Sequence, residues 1–246
     1  MPDDLRHVVD DPEQLRAKAS WIYETLNAAF RERAWHPRLP PLDELLQTIL
    51  SHRTTDVQSG TGYLKLIETY PTWADMAAAT PEEVARLIPM VQWPESKAHT
   101  MLGILRAVHQ RAGAYTLDFL ETMSTEEALA WLTSLRGVGP KTASLVLLFS
   151  LGRPLLPVDS HIHRVSRRTG LVPATANADA THDLLLAILP HDRHVLYNVH
   201  LNMLNHGRFI CVYRTPKCWI CPLAEVCDYY ADVYLPNAKR KTERSK

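Results

Sequence analysis

The sequence predicts an all-α protein, and three observations support this prediction. Glycine is scarce, with only 9 among 246 residues, and segments in which apolar and polar residues alternate are few. Apolar residues instead recur every three or four positions, as they do on one face of a helix. They make up 46% of the chain and charged residues 22%, which is typical of a globular protein. At roughly 100–200 residues per domain, this length allows one large domain or two small ones.

Apolar periodicity and capping residues together predict where individual helices begin. Thr54 or Thr55 is the expected N-cap of one helix, and Thr80 and Ser124 each precede a first turn with two glutamates. A proline-rich connector at residues 36–41 separates the first two helices. The predicted helices cover residues 12–33, 42–51 and 57–70, two segments that begin after Thr80 and Ser124, and residues 141–151, 160–169, 179–189 and 192–206.

Charge is balanced overall but unevenly distributed. The chain has 27 basic and 27 acidic residues, which excludes a histone-like wrapping protein but not a nucleic-acid-binding one. Residues 153–170 contain four arginines and one aspartate, and we expect them to form a basic surface for phosphate. The last ten residues contain five Lys or Arg and one Glu, and the segment after Pro236 is expected to be mobile.

Nothing in the sequence indicates a membrane span or an export signal. No apolar run approaches the ~20 residues that a spanning helix needs. Residues 1–13 contain five acidic residues and one arginine, and they lack an apolar core behind a basic head. We therefore expect a cytoplasmic protein that does not associate with membranes.

The four cysteines of the chain are clustered near its C-terminal end. Successive cysteines are separated by 6, 2 and 5 residues. Disulfides are rare in the cytoplasm, so two disulfides are the less favoured interpretation. Structural zinc usually takes two short pairs of ligands, whereas here one short pair lies between two single cysteines. The spacing favours a [4Fe–4S] cluster, with zinc as the alternative, and the predicted ligands are Cys211, Cys218, Cys221 and Cys227.

Three cationic residues, Arg208, Arg214 and Lys217, lie in or beside this cysteine loop. A cluster with four thiolate ligands carries a net negative charge, which these cations would offset. They would also suit a loop that contacts phosphate, and the two roles are compatible.

A glycine-rich turn at residues 135–143 joins two apolar segments. Gly137 and Gly139 allow left-handed or tight turns and a close approach to a ligand. Pro140 suits the first position of the following helix, whose free N–H groups attract an anion. A plain connection between two helices is the alternative, but two of only nine glycines lie directly before Pro140 and Lys141, which favours a binding turn.

Asp159 opens the next predicted helix after the one that Lys141 begins. Its carboxylate suits an N-cap, and capping alone is one interpretation. A second interpretation considers Asp159 and Lys141 together. The intervening 11-residue helix is about 16 Å long, and with a short return after it both helix starts can face one cleft.

Together these motifs resemble those of endonuclease III, a family of helix–hairpin–helix DNA glycosylases with an iron–sulfur cluster. The resemblance extends over roughly residues 40–230. The matching motifs are residues 50–56 (LSHRTTD), 96–98 (SKA), 137–143 (GVGPKTA), 158–161 (VDSH), 206–208 (HGR) and the four-cysteine loop.

The resemblance implies two helical domains that flank a DNA-binding cleft. A six-helix domain with the helix–hairpin–helix motif is expected at residues 34–153, and a cluster domain at residues 1–33 and 154–246. By the same resemblance, Lys141 is the catalytic nucleophile and Asp159 the catalytic carboxylate. The residues expected to bind phosphate through main-chain N–H groups are Gly137, Val138 and Gly139.

The implied partner is double-stranded DNA that contains damaged bases, typically oxidised pyrimidines, or abasic sites. The target nucleotide is flipped out of the helix, because a stacked base cannot be reached. The Lys141 amine then attacks C1′ of the sugar, the base departs, and β-elimination cuts the strand. Burial and the positive end of its helix would both lower the pKa of this lysine from about 10.4. We expect a monomer that is nucleoid-associated in a bacterium.

Two positions depart from the family pattern. Endonuclease III commonly has a Gln that fills the gap left by the flipped base, whereas this chain has Arg53. Trp93 stands where the family has a Leu wedge, and a proline that the family lacks follows it. A core aromatic is the alternative for Trp93. Both residues are predicted to contact DNA, as is His161, whose alternative is a hydrogen bond within the protein.

Two other functions fit parts of the pattern. Relatives that remove adenine generally lack a lysine at the position of Lys141 and carry a further C-terminal domain, whereas this sequence ends soon after Cys227. A non-catalytic helix–hairpin–helix protein would use the hairpin and cluster only to hold DNA or to sense redox state. Its function would survive a Lys141→Ala substitution.

Overall fold

The computed structural model describes residues 5–244 of the chain. This part is helical and contains no strand, which confirms the predicted all-α class. It divides into two compact units, one formed by residues 1–35 and 154–246 and the other by residues 36–153. None of the described helices is long and apolar enough to cross a membrane.

Twelve α-helices, joined by short 3-10 or π-helical turns, account for most of the described chain. They are α1 (Pro12–Phe30), α2 (Pro41–Ser51), α3 (Asp56–Thr69), α4 (Trp73–Ala77), α5 (Pro81–Leu87), α6 (Pro94–Ala112), α7 (Thr125–Ser134), α8 (Pro140–Leu151), α9 (Ser160–Thr169), α10 (Ala178–Ile188), α11 (Arg193–Phe209) and α12 (Leu235–Arg244).

The first unit is built around helices α1, α9, α10 and α11. Their apolar faces form one core that includes Leu26, Ile162, Leu196 and Met203. Helix α1 ends at Phe30, three residues earlier than predicted. The side chain of Arg33 ends it there, because its guanidinium donates to the carbonyls of Phe30 and Arg31.

The second unit is built around α8, which is buried on almost every side. Nine of its twelve residues are buried, and it packs against α2 and α7. A helix that is apolar on all faces belongs in a core, so α8 has one rigid position. Its N-terminal residues, including Lys141, are thereby held at the edge of this core.

Two helices of the second unit were not predicted. Helix α4 has only five residues, too few to show apolar periodicity. Helix α6 has 19 residues, and the spacing of Ala98, Met101, Leu105 and Val108 on its buried face is a signal that was present in the sequence. Thr55, not Thr54, is the N-cap of α3, and its side chain accepts from the N–H of Gln58.

The basic C-terminal segment contains a helix that was not predicted. Residues 235–244 form helix α12, and the expected mobility of the segment after Pro236 stays a prediction. Pro236 is the second residue of α12 and lies two residues after the end of a π-helical turn. The preceding π-helical turn, Tyr230–Tyr234, leads directly into α12, and the two tyrosine rings stack with centroids 5.3 Å apart.

Candidate active site

The glycine-rich turn between α7 and α8 has the hairpin conformation that its sequence predicts. Gly137 has φ +86°, and a Cβ atom added there would lie 2.7 Å from the Thr100 side chain. Val138 is buried, and its N–H donates to the carbonyl of Leu135 at 3.1 Å, so it is not one of the free donors that the sequence predicted. Gly139 is the N-cap of α8, and no side chain caps the first N–H groups of that helix. The turn therefore presents main-chain donors at an open face, since nothing lies within 4 Å of a Cβ at Gly139.

Lys141 is the second residue of α8, directly behind this turn. The neighbouring Thr142 is buried, and its hydroxyl is 3.1 Å from Nε2 of His52, at the end of α2. Burial, with a further contribution from the positive charges of Lys141 and Lys97, lowers the pKa of His52 to about 4. His52 is therefore neutral at pH 7.

Arg53 and Trp93, the two residues that depart from the family pattern, lie together. The Arg53 guanidinium carbon is 5.8 Å from the centroid of the Trp93 ring, within the range of a cation–π contact. Trp93 is 55% exposed, so the alternative that it is a core aromatic is wrong. Both residues have positive φ angles, +50° for Arg53 and +53° for Trp93. Side chains other than glycine rarely adopt that conformation, which clusters at ligand-binding sites.

Asp159, in the other unit, is the N-cap of α9. Its Oδ1 accepts from the N–H groups of His161 at 2.8 Å and Ile162 at 2.9 Å. The capping interpretation is therefore correct for Oδ1. Oδ2 has no hydrogen bond to any residue in the described part of the chain, and Asp159 is only half-buried. One carboxylate oxygen thus fixes the side chain and leaves the second for another partner.

His161 follows Asp159 and is tied to the four-cysteine loop through one arginine. Its Nδ1 is 3.1 Å from Arg164, which also donates to the carbonyls of Gly207 at 2.8 Å and Cys211 at 2.9 Å. The predicted alternative, a hydrogen bond within the protein, therefore describes this side chain. A DNA contact by His161 stays a prediction.

The four cysteines line one small pocket. All four are free thiols, so the disulfide interpretation is wrong for this structure. Among residues 5–244, no group of three or more His, Cys, Asp or Glu side chains is arranged to hold a single metal ion. The pocket is also lined by Arg168, His206 and several apolar or aromatic side chains, and no carboxylate is among its lining residues.

Burial, together with the neighbouring thiols, raises the pKa of the Cys221 and Cys227 thiols to about 12. Bare thiolates are therefore unstable in this pocket, and only a cationic centre would hold all four deprotonated. A soft, thiolate-preferring group suits this donor set. Arg168 supplies a positive charge beside it, with one guanidinium nitrogen 3.3 Å from the Cys211 sulfur. The residues present thus fit an iron–sulfur cluster.

Three of the four arginines of residues 153–170, namely Arg164, Arg167 and Arg168, line one open cavity. Arg153 donates to three carbonyls of its own unit, and Arg164 and Arg168 donate to the main chain of the cysteine loop. Only Arg167 of the four is exposed without such bonds to described residues. The hydrogen bonds limit how these side chains can move, and a basic surface for phosphate at residues 153–170 stays a prediction.

Comparison with known proteins places these residues in a family. The HhH-GPD superfamily of base excision DNA repair proteins matches residues 46–191. Endonuclease III of Thermotoga maritima is 33% identical over 209 residues, which is 85% of this chain and 92% of that protein. Endonuclease III of Escherichia coli K12 is 31% identical over 189 residues, 77% of this chain and 84% of the relative.

The chain belongs to the endonuclease III family. Its activity is that of a base excision repair DNA glycosylase and lyase. Two solved structures agree: a trapped covalent endonuclease III–DNA intermediate and a non-covalent endonuclease III–DNA complex, each 25% identical with a TM-score of 0.75. The alignments cover 88% of this chain and 97% and 96% of those chains. A thermostable thymine-DNA glycosylase, 23% identical with a TM-score of 0.73, shares the fold.

Proposed function

We propose that this endonuclease III removes oxidised pyrimidines from duplex DNA and then cuts the strand by β-elimination, with Lys141 as nucleophile and Asp159 as the assisting carboxylate. The protein acts as a monomer on double-stranded DNA that contains a damaged base or an abasic site. The observation that carries this proposal is the position of Lys141, one residue inside a helix whose uncapped N-terminus follows a tight glycine turn.

The hairpin holds the DNA backbone, and this places Lys141 beside the sugar. Free N–H groups at the start of α8 favour a phosphate, because they point outward and the helix dipole adds positive potential there. Gly137 and Gly139 let the main chain approach a phosphate closely, since neither has a Cβ to obstruct it. The buried Val138 keeps the turn in one conformation between them.

The reaction needs one amine and one carboxylate in turn. The lone pair of the neutral Lys141 amine forms a bond to C1′, and the base leaves with the electrons of its glycosidic bond. Loss of a proton from the nitrogen and opening of the sugar ring give a Schiff base. Removal of a C2′ proton then breaks the C3′–O bond, and the 3′ phosphate leaves. Water finally hydrolyses the imine and restores the amine.

Asp159 acts through its oxygen that does not cap the helix. The carboxylate stabilises positive charge as the sugar becomes oxocarbenium-like, and it assists the proton transfers. Because Oδ1 is held by two main-chain N–H groups, the position of Oδ2 is fixed before the substrate binds. This role requires that the two units bring Asp159 and Lys141 to the same sugar when DNA is bound.

Arg53 and Trp93 are proposed to occupy the space that the flipped nucleotide leaves. An exposed indole stacks on bases, and a guanidinium donates hydrogen bonds to the edge of the unpaired base. His161, next to Asp159, is proposed to line the pocket for the flipped base. The two residue types at 53 and 93 differ from the family pattern, so the opposite-base preference of this enzyme should differ as well.

A [4Fe–4S] cluster bound by Cys211, Cys218, Cys221 and Cys227 completes the proposal. When bound, the cluster supplies a rigid, negatively charged centre that orders the loop from 211 to 227. This chain holds it with four thiolates, and Arg168 offsets part of its charge. Purified protein should then absorb near 400 nm and contain about four iron atoms per chain. One zinc and no colour would support the alternative.

Borohydride trapping on a duplex with an abasic site tests the proposed chemistry. Wild-type protein should form a covalent adduct, because borohydride reduces the Schiff base. Lys141→Ala should form none, and strand cutting should fall by at least about 10³-fold, since no other group supplies the nucleophile. Lys65→Ala is the matched control, because Lys65 is an exposed lysine in the same unit and should trap normally.

The outcome separates the enzyme from the binding module. Failure of the wild type to trap, with DNA binding intact, would favour the non-catalytic protein. An adduct that persists in Lys141→Ala would assign the nucleophile elsewhere. A panel of duplexes that each carry one damaged base then identifies the lesion that is removed.

A further inference from the structure

Lys97 is a buried lysine outside the catalytic residues. It lies in the first turns of α6 and is only 5% exposed. Its ammonium donates three hydrogen bonds, to the carbonyls of Leu50 at 2.6 Å and His52 at 2.9 Å and to the hydroxyl of Thr54 at 2.8 Å. No carboxylate within the described chain pairs with it, and burial alone lowers its pKa to about 8. Burying a charge without a counter-ion destabilises the folded state. An apolar side chain would fill this position at a lower free-energy cost, so packing alone does not explain a lysine here.

The three acceptors of Lys97 belong to one short segment. Helix α2 ends at Ser51, and its last carbonyls have no partners within the helix. The ammonium bonds one of them, Leu50, together with the carbonyl of His52 that precedes Arg53. Arg53 itself has φ +50°. A carbonyl held on one side of a strained residue limits the alternative conformations that the residue can relax into.

Thr54 joins this segment to the one that carries Trp93. Its Oγ1 accepts from Lys97 and, at 3.1 Å, from the main-chain N–H of Gln92, the residue before Trp93. Trp93 is the N-cap of α6 in a left-handed conformation, and its own carbonyl accepts from the N–H of Lys97 at 3.0 Å. Lys97 therefore contacts both segments, one through its side chain and the other through its main chain.

The conformations of Arg53 and Trp93 thus share one support. Within residues 36–153 they are the two residues other than glycine with positive φ. Both are exposed and in cation–π contact with each other, so neither is held by burial. Lys97 and Thr54 lie beneath them and bond to the residues on either side. Two exposed residues thus have a strained backbone conformation, and buried polar groups support it. This combination is typical of a preorganised binding surface.

We propose that Lys97 is a positioning residue that, with Thr54, holds Arg53 and Trp93 as one preformed surface for the unpaired base opposite the lesion. The proposal rests on the proposed function, which places these two side chains in the gap. Lys97 touches neither the DNA nor the reacting atoms. Its contribution is to DNA affinity and opposite-base preference, because it removes the cost of ordering Arg53 and Trp93 on binding.

A double-mutant cycle separates positioning from a general loss of structure. Lys97→Met keeps the length of the side chain and removes the charge, and Thr54→Val removes the linking hydroxyl. Affinity is measured on duplexes with a tetrahydrofuran abasic analogue opposite each base. Each variant should weaken binding by about tenfold in the wild-type background and by less than twofold in an Arg53→Ala/Trp93→Ala background. Thr54→Ser and the exposed Lys65→Met should bind as the wild type does.

Saturating single-turnover trapping on abasic DNA completes the test. Lys97→Met should keep the trapping rate within about threefold of wild type, since positioning affects binding more than the Lys141 chemistry. The proposal would be overturned if the variants lost equal DNA affinity in both backgrounds, or if they lost none in the wild-type background. If Lys97→Met does not fold, the DNA affinities of Thr54→Val and Thr54→Ser are compared instead, and this comparison decides whether the proposal holds. Absence of trapping by the wild type would instead refute the proposed function, so the two failures are distinguishable.

Discussion

Arg53, in one unit of this protein, and Arg164 and Arg168, in the other, make different kinds of contact. In residues 36–153, Arg53 is exposed, stacked on an exposed tryptophan and supported by a buried lysine. In the other unit, Arg164 and Arg168 turn inward and bond to the carbonyls and sulfur of the cysteine loop. A cation next to an exposed aromatic side chain suits a ligand, whereas a cation bonded to main-chain carbonyls stabilises a loop. The difference shows that a charge run in the sequence does not specify the contacts that each arginine makes.

The largest effect on strand cutting is expected for Asp159, because this side chain both caps α9 and is the proposed catalytic carboxylate. Asp159→Asn keeps an N-cap, because asparagine caps as well as aspartate, but it removes the negative charge. Strand cutting should fall by at least about 10²-fold while the free energy of unfolding changes by less than about 0.5 kcal/mol. Single-turnover kinetics and urea unfolding measure the two. If strand cutting and the free energy of unfolding both changed only slightly, Asp159 would be a helix cap without a catalytic role.

Acid should destabilise the unit that holds Lys141 through His52. The unfolded histidine gains a proton near pH 6.5, whereas the folded one gains it only near pH 4. The unfolded state therefore binds more protons across this range, and stability that is full above pH 6.5 is lost as the pH falls toward 4. The loss is about 2–3 kcal/mol. Urea unfolding at pH 7 and 4.5 should show it, and His52→Asn should have a flatter pH dependence. An unchanged slope in that variant would contradict the assignment.

Arg168 and Arg167 are adjacent in α9, so variants of the two residues show what the hydrogen bonds of Arg168 contribute to stability. Arg168 donates to Cys211 and to the carbonyls of Val212 and Tyr213, whereas Arg167 is exposed. Arg168→Met should lower the free energy of unfolding by about 2 kcal/mol, from lost charge-assisted hydrogen bonds. Arg167→Met should lower it by less than about 0.5 kcal/mol. Similar losses in the two variants would mean that the inward contacts contribute little.

The smallest expected difference in stability is between alanine variants of the two hairpin glycines. Gly137 has φ +86° and lies close to Thr100, whereas Gly139 has an ordinary φ of −98° and open space around it. Gly137→Ala should therefore cost about 1–2 kcal/mol of stability, and Gly139→Ala should cost less than about 0.5 kcal/mol. Thermal unfolding of both variants measures this. Equal costs would show that the turn does not depend on a left-handed residue.

The local features of the site could be predicted from sequence, and its long-range contacts could not. The hairpin at Gly137 and Gly139, the cap at Asp159 and the clustered cysteines all follow from residue types at short spacing. The inward turn of Arg164 and Arg168 depends on carbonyls of the cysteine loop, which lies far along the chain from α9. No local pattern specifies such a partner.

The same limit applies to the surface formed by Arg53 and Trp93. Each residue was singled out by comparison with a family pattern, but their contact joins two segments that are distant in the sequence. The residues that bond beside these positive φ angles, Lys97 and Thr54, are ordinary residues in the sequence. Helix α6, by contrast, was not predicted although the apolar spacing of its buried face is visible in the sequence.

Peptide mapping of the borohydride-trapped complex tests the central claim most directly. After proteolysis, mass spectrometry should find the reduced deoxyribose on Lys141 and on no other residue. Lys97 is the informative competitor, because its pKa near 8 makes it an easily deprotonated amine in the same unit. An adduct on Lys97, or on the N-terminal amine, would contradict the assignment of Lys141 as the nucleophile.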